Sequence, residues 1–290
     1  MKPAPFMYAA PATLAEALAL LVTHGDKAKL LAGGQSLVPM MNFRLARPEY
    51  IIDLNRVAGL DAITEQDATL VVGAMVRQRS LERSDLVRQR YPLLLEAVQY
   101  IGHTAIRNRG TVGGSIAHAD PAAELPAVLL AYGGSVRAQG PQGTRDIPAT
   151  ELFLTYFTTT LTTDEILTEV RFPRWPSGTG WCFLEESRRH GDFAMVGVAA
   201  LITIDAERRC THAAVALTGV GGMPHAVTAA TGMLVGHVPD EARIAEVARV
   251  AAAGVAPESD IHASAAFRRH LSGVLTRRAL HQAVARARGA

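Results

Sequence analysis

Two glycine pairs, Gly33-Gly34 and Gly113-Gly114, constrain this chain more than any other feature. Each follows an apolar extended stretch and leads into small hydroxyl or amide side chains, in Ala32-Gly-Gly-Gln-Ser36 and Thr111-Val-Gly-Gly-Ser115. The pairs at 133–134 and 221–222 lack that setting. A residue without a Cβ lets the backbone approach a ligand, and successive free N–H groups make a cradle for phosphate oxygens. The hydroxyls of Ser36, Thr111 and Ser115 can add neutral hydrogen bonds. Glycine pairs also serve as plain turns, so spacing alone leaves both readings open. Gly219-Val-Gly-Gly-Met-Pro224 puts proline where a Rossmann fingerprint needs its third glycine, and no Walker string occurs. The two common nucleotide folds are therefore disfavoured.

Around these pairs the chain divides into stretches of different character. Thr13 opens a helix with Glu16 as its capping-box partner; Leu14, Ala17, Leu18, Leu21 and Val22 share one face, and Gly25 suits its end. Strands at Ala28–Ala32 and Tyr50–Leu54 then suggest a small parallel unit. From about residue 58 the pattern changes. Thr69–Gly73 reads as a strand, Leu93–Ile101 as a helix, Thr111–Ala117 as extended and glycine-broken, and Glu124–Ala131 as an apolar helix with Asp120 near its start as a cap. A hairpin of Ser135–Ala138 and Thr144–Ile147 precedes a strand at Glu165–Phe172. Pro173 to Gly180 is the best linker candidate. Beyond it come strands near 181–186, 196–205 and 211–218, then helices at 225–234, 240–253 and 264–287, an α+β order.

A chain of 290 residues leaves room for two or three packed units. The net charge of +2 is too small to point to nucleic acid, but it is unevenly placed. Residues 267–290 hold six arginines and no acid, which suits either an acidic neighbour or a solvated helix face. Two cysteines, Cys182 and Cys210, exclude a disulfide framework and any iron–sulfur cluster held by this chain alone. No signal-peptide core and no run of membrane-spanning length occurs, so a soluble, cytoplasmic chain without membrane insertion is expected. Catalytic groupings are missing: there is no nucleophile elbow and no paired carboxylates, the histidines are scattered, and His118-Ala-Asp120 is too little for a metal site. If the chain serves an enzyme, the hard chemistry belongs to a cofactor.

The strings Leu31-Ala-Gly-Gly-Gln-Ser-Leu-Val-Pro39 and Arg107-Asn-Arg-Gly-Thr-Val-Gly-Gly-Ser-Ile-Ala-His-Ala-Asp-Pro-Ala-Ala-Glu-Leu125 resemble two known motifs. These are the FAD-binding motifs of the medium, flavoprotein subunit of the molybdenum hydroxylases. That group includes carbon monoxide dehydrogenase, the N-heteroaromatic dehydrogenases and xanthine dehydrogenase. The resemblance continues through Arg188-Arg-His-Gly-Asp-Phe-Ala-Met-Val196 and His262 to Arg278, and so covers essentially the whole chain. It implies an α+β fold: a two-subdomain FAD-binding domain of PCMH type (1–57 and 58–175), then a small C-terminal α+β domain (178–290) with an antiparallel sheet packed on helices. Carried over by position, Ala32, Gly33, Gly34, Gln35, Ser36 and Leu37 hold the FAD pyrophosphate from one side, and Thr111, Gly113, Gly114 and Ser115 from the other. Lys29 approaches the adenine end, Glu124 binds FAD hydroxyls, and Leu161 and Phe193 lie near the isoalloxazine.

The resemblance further implies an electron-transfer role, with no catalytic or metal-binding residue in this chain. Electrons pass from [2Fe–2S] clusters of a small subunit to FAD and on to an external acceptor, after a molybdopterin-bearing large subunit has oxidised the substrate. The expected assembly is a dimer of heterotrimers, with the arginine-rich last helix as a docking surface. Two departures stand out. Some oxidases of the wider fold tether FAD through a histidine after the glycine pair; Gln35 occupies that place here, so FAD is expected to be non-covalent. Where some relatives have a basic residue near the flavin, this chain has Leu184-Glu185-Glu186. Alternatives are a self-contained FAD oxidase and a non-redox scaffold. Substrate and electron acceptor are not encoded in these residues.

Overall fold

The computed structural model describes residues 1–289. Its first helix, Leu14–His24, begins as the sequence dictates. Thr13 Oγ1 accepts from Glu16 N at 3.2 Å while the Glu16 carboxylate accepts from Thr13 N at 3.3 Å, and Gly25 ends the helix at φ +50°. Ala17 and Leu21 are buried in a small core with Ala28, Ile52 and Leu54. The helix lies on a three-stranded parallel sheet ordered Met7–Ala9, Tyr50–Asp53, Ala28–Leu31, with Ala28 and Met7 both level with Tyr50.

A five-stranded antiparallel sheet follows, ordered Ile63–Gln66, Thr69–Gly73, Ile166–Pro173, Ser135–Gly140, Gly143–Pro148. Its central strand is the last of the five in sequence. The helices between Gln78 and Tyr132 fill the long excursion, and Pro92–Val98 and Glu124–Tyr132 form the centre of the largest core. Leu93, Leu94, Leu125, Val128 and Leu129 are fully buried there. Each such side chain contributes roughly 1.5–3 kcal/mol of burial.

The C-terminal sheet runs Thr179–Glu186, Val196–Ile204, Cys210–Thr218, His225–Ala226, all antiparallel. Val196–Ile204 is apolar almost throughout because both faces are covered. Val198, Ala200 and Ile202 face a core shared with helices Glu241–Gly254 and Ala265–Arg288, while Ala199 and Leu201 join the core of helix Glu124–Tyr132. Strand and last helix approach backbone to backbone at Gly180, where a Cβ would sit 1.8 Å from Ala283 O.

Three local expectations are corrected. Thr111–Ala117 is not extended: Val112–His118 is a helix, capped by Thr111, whose Oγ1 accepts from Gly114 N at 3.1 Å. The β-branched and glycine residues lower helix propensity, but the cap and the packing outweigh it. Asp120 does not cap the next helix; its carboxylate accepts from Ala122 N at 2.9 Å, one turn too early, and Ala123 stands at the cap. Residues 225–234 form a short strand, His225–Ala226, and a single helical turn, Thr228–Thr231, because pairing with Cys210–Thr218 takes up the start.

Candidate functional site

The first glycine motif follows strand Ala28–Leu31, the second opens helix Val112–His118, and the two meet. Gly33 lies so close to the segment before the second motif that a Cβ on it would be 2.5 Å from Arg109 O and 2.8 Å from the Gly110 Cα. A Cβ on Gly114 would be 3.3 Å from the Ala32 Cβ and 2.6 Å from Thr111 Oγ1. A cleft of about 350 Å³ opens here, lined by Leu31, Gly33, Gly34, Gln35, Val38, Pro39, Asn42 and Arg109.

The motifs stand differently to that cleft. Gly34 takes φ +75°, a left-handed conformation that suits glycine, and the N–H groups of Gly34, Gln35 and Ser36 find no backbone acceptor among the described residues. In the second motif the Gly113 N–H donates to Ala74 O at 2.9 Å and the Gly114 N–H to Thr111 Oγ1. None of Thr111, Gly113, Gly114 and Ser115 lines the cleft; Thr111 is buried at 2% exposure with its Oγ1 engaged as the helix cap, so this motif stands behind the cleft and reaches it only through Arg109. Gly113 is required by packing: a Cβ there would be 2.5 Å from the Ala74 Cβ.

Beneath the cleft runs a polar network that no sequence signal announced. Tyr8 donates its hydroxyl to Asp53 at 2.6 Å, Asp53 accepts from Asn55 N at 2.9 Å, and Asn55 Nδ2 donates to Ala32 O at 3.0 Å. Arg77, from the other sheet's side, donates to the Asn55 side chain and to Arg109 O, the latter at 2.6 Å. Arg77 thus ties the backbone of both motif regions together. Burial pushes the Asp53 carboxyl up, but the hydrogen bonds from Tyr8 and Asn55 outweigh it and leave the carboxyl below its ordinary range. None of these residues sits in a recognisable string; contact across the cleft reveals them.

The other expected residues, Lys29, Glu124, Leu161 and Phe193, are not among those lining the cleft. Lys29 is exposed on the strand leading into the first motif. Glu124 is buried at the first position of helix Glu124–Tyr132, at 7% exposure. Leu161 packs against the largest core, and Phe193 stands 71% exposed, an apolar ring without cover. Burial, with Asp120 nearby, pushes the Glu124 carboxyl up; burial, with Glu124 nearby, pushes Glu185 up as well. Burial also raises the Cys182 thiol to about 12 and the Cys210 thiol to about 11, so neither is a nucleophile at neutral pH.

Comparison with known proteins follows this geometry. Residues 4–175 match the family described as "FAD binding domain in molybdopterin dehydrogenase", and residues 181–283 match "CO dehydrogenase flavoprotein C-terminal domain". The chain is 42% identical, over 99% of its length and 97% of the relative's, to the 6-hydroxypseudooxynicotine dehydrogenase complex subunit alpha of Paenarthrobacter nicotinovorans. It is 38% identical to the carbon monoxide dehydrogenase medium chain of Hydrogenophaga pseudoflava, over 99% of both. A solved structure of that carbon monoxide dehydrogenase superposes with a TM-score of 0.97 at 39% identity, covering 99% of both chains. Quinoline 2-oxidoreductase from Pseudomonas putida 86 superposes at 0.93 with 37% identity, again over 99% of both.

Proposed function

The chain belongs to the FAD-binding medium subunits of the carbon monoxide dehydrogenase-like molybdenum hydroxylases, and from that membership we propose how its cleft works. It carries electrons from the [2Fe–2S] clusters of a small subunit, through FAD, to an external acceptor. A molybdopterin-bearing large subunit oxidises the substrate beforehand. The observation that carries this reading is the meeting of the two glycine motifs at Gly33, Gly110, Ala32 and Gly114, where added Cβ atoms would fill the approach.

In this reading the free N–H groups of Gly34, Gln35 and Ser36 face the pyrophosphate, Leu37 closes the turn, and Thr111, Gly113, Gly114 and Ser115 back the cleft from behind Arg109. Lys29 stands toward the adenine, Glu124 accepts from FAD hydroxyls, and Leu161 and Phe193 cover the ring. When bound, FAD supplies the redox chemistry, exchanging one or two electrons. The residues of this chain bind it, orient it and keep water from it; none needs to move a proton in substrate oxidation. Gln35 has no imidazole nitrogen with which to bond the flavin, which supports non-covalent FAD.

Three units, 1–57, 58–175 and 178–290, fit the way every strand of each sheet falls inside one unit. Relatives named for carbon monoxide, nicotine and 6-hydroxypseudooxynicotine have similar medium chains, which supports substrate selection in the large partner. A dimer of heterotrimers in the cytoplasm completes the reading; among the described residues no helix is long and apolar enough to cross a membrane. The test is mild affinity purification from native cells with a visible spectrum. Flavin over an iron–sulfur background, with one small and one large partner, is expected. Flavin on a lone chain that turns over substrate would instead indicate a self-contained oxidase.

A further inference from the structure

We propose that Arg77 and Asn55 are positioning residues for the cofactor: through the Ala32 carbonyl they turn the Gly33 N–H toward the cleft, where it joins the donors that meet a diphosphate. The proposal rests on the reading of the cleft as the FAD pyrophosphate site and adds two side chains that act from behind it.

A glycine that lets a ligand approach also leaves its peptide plane easy to turn, since no Cβ resists the rotation. Something must hold the Ala32–Gly33 peptide, and Asn55 does so: its Nδ2 donates to Ala32 O at 3.0 Å. No peptide bond of the described residues is cis. In a trans peptide the C=O and the N–H that follows it point in opposite directions. Gly33 lines the cleft and Asn55 does not. With its carbonyl drawn back to Asn55, this peptide turns the Gly33 N–H to the cleft side. Like the N–H groups of Gly34, Gln35 and Ser36, it finds no backbone acceptor among the described residues.

Asn55 is itself held from two directions. Its backbone N–H and its Nδ2 both donate to the Asp53 carboxylate, the former at 2.9 Å, and its Oδ1 accepts from Arg77 Nη2. An arginine donor on Oδ1 fixes which end of the amide faces Arg77 and so leaves Nδ2 for Ala32 O. The other arm of the same guanidinium, Nη1, donates to Arg109 O at 2.6 Å. That carbonyl lies against Gly33, where a Cβ would come within 2.5 Å of it. Arg77 also sits in a segment tied to the second motif's backbone: Gln78 N donates to Gly110 O at 2.9 Å and Val112 N to Val76 O at 3.0 Å. Its two arms therefore fix the first motif relative to the second. A planar fork suits that task, whereas a lysine ammonium presents a single point charge.

The test pairs FAD titrations of the flavin-stripped full chain with nuclear magnetic resonance. A chain isotope-labelled at the alanine carbonyl and the glycine nitrogen reports only Gly33, Gly59 and Gly254, the glycines that follow an alanine. Asn55→Leu and Arg77→Lys are each expected to bind FAD about tenfold more weakly, the size of one hydrogen bond to a charged group. In wild type FAD should move the Gly33 signal and leave Gly59 and Gly254 in place; in Asn55→Leu at saturating FAD that movement should be lost. A purely structural role would weaken binding but leave the bound Gly33 signal at its wild-type position. Arg77→Lys binding as tightly as wild type, or an unchanged bound signal in Asn55→Leu, overturns the proposal. The Arg77→Lys titration and the wild-type spectrum decide it even if Asn55→Leu does not fold. Wild-type chain that takes up no flavin rejects the FAD reading itself, whereas flavin bound with an unmoved Gly33 signal rejects only the positioning.

Discussion

At Gly33 a single methyl group decides whether two motif regions can touch. Gly33→Ala would drive a Cβ into backbone atoms of Arg109 and Gly110, which cannot swing aside as a side chain can. Overpacking of that kind costs about 1–3 kcal/mol. The variant should melt earlier and purify with little flavin, measured by thermal unfolding and by flavin-to-protein absorbance. Gly114→Val acts differently: its side chain projects toward Ala32 and the Thr111 hydroxyl. It should lower flavin content below half, and normal content would remove the second motif from the FAD site. Gln35 makes a third residue-level prediction. Acid precipitation of the protein should leave the yellow flavin in the supernatant; flavin remaining in the pellet would mean a covalent link that Gln35 cannot make.

Among the elements, the last helix shows how composition can mislead. Three of its six arginines are engaged within the chain. Arg268 is buried and donates to Met195 O, Gly219 O and Asp260; Arg277 pairs with Glu241; Arg286 holds Glu96 and Trp181 O. Arg268 and Arg286 therefore serve the chain's own packing rather than an open basic face. The Glu96 carboxylate accepts from both Arg286 and Phe183 N, at 2.9 and 3.0 Å, and so joins helix Pro92–Val98 to the C-terminal sheet. Arg286→Ala should lower stability by about 1–2 kcal/mol, the value of charged hydrogen bonds discounted for partial exposure. Denaturant unfolding would show it as a lower midpoint with an unchanged slope.

Asp260 gives this region a pH signature. Burial pushes its carboxyl up, but the Ala263 and His262 N–H groups and the Arg268 guanidinium outweigh that and hold it at about 2. The unfolded value is near 3.9. The contribution is thus fully present above about pH 4 and is lost as pH falls toward 2. Asp260→Asn should be less stable than wild type at pH 7, and the difference should close over that window in acid. A difference that stays constant from pH 7 to 2 would show that the charge is not what Asp260 supplies.

For the whole molecule, most of the architecture was legible because its elements carry local signals. The Thr13–Glu16 capping box, the strand runs and the Ser135–Ile147 hairpin each state their own conformation. The failures share a cause. Val112–His118 was hidden because Gly113 answers to Ala74 and Gly114 to Ala32 across the fold, and 225–234 because a neighbouring strand claims its first residues. The glycine motifs were legible as strings, and family resemblance carried most of that. Arg77, Asn55 and Asp53 were not, since nothing in a linear reading brings residues 55, 77 and 109 together.

The placement of Ile166–Pro173 at the centre of its sheet has a consequence for how the protein is made. Ala74, against which Gly113 packs, is held through its N–H by Thr168 O at 2.9 Å. The wall behind the second motif therefore cannot be set until the ribosome has delivered residues well beyond that motif. A nascent chain bearing both glycine strings still lacks the strand whose Thr168 O holds Ala74 in place behind Gly113.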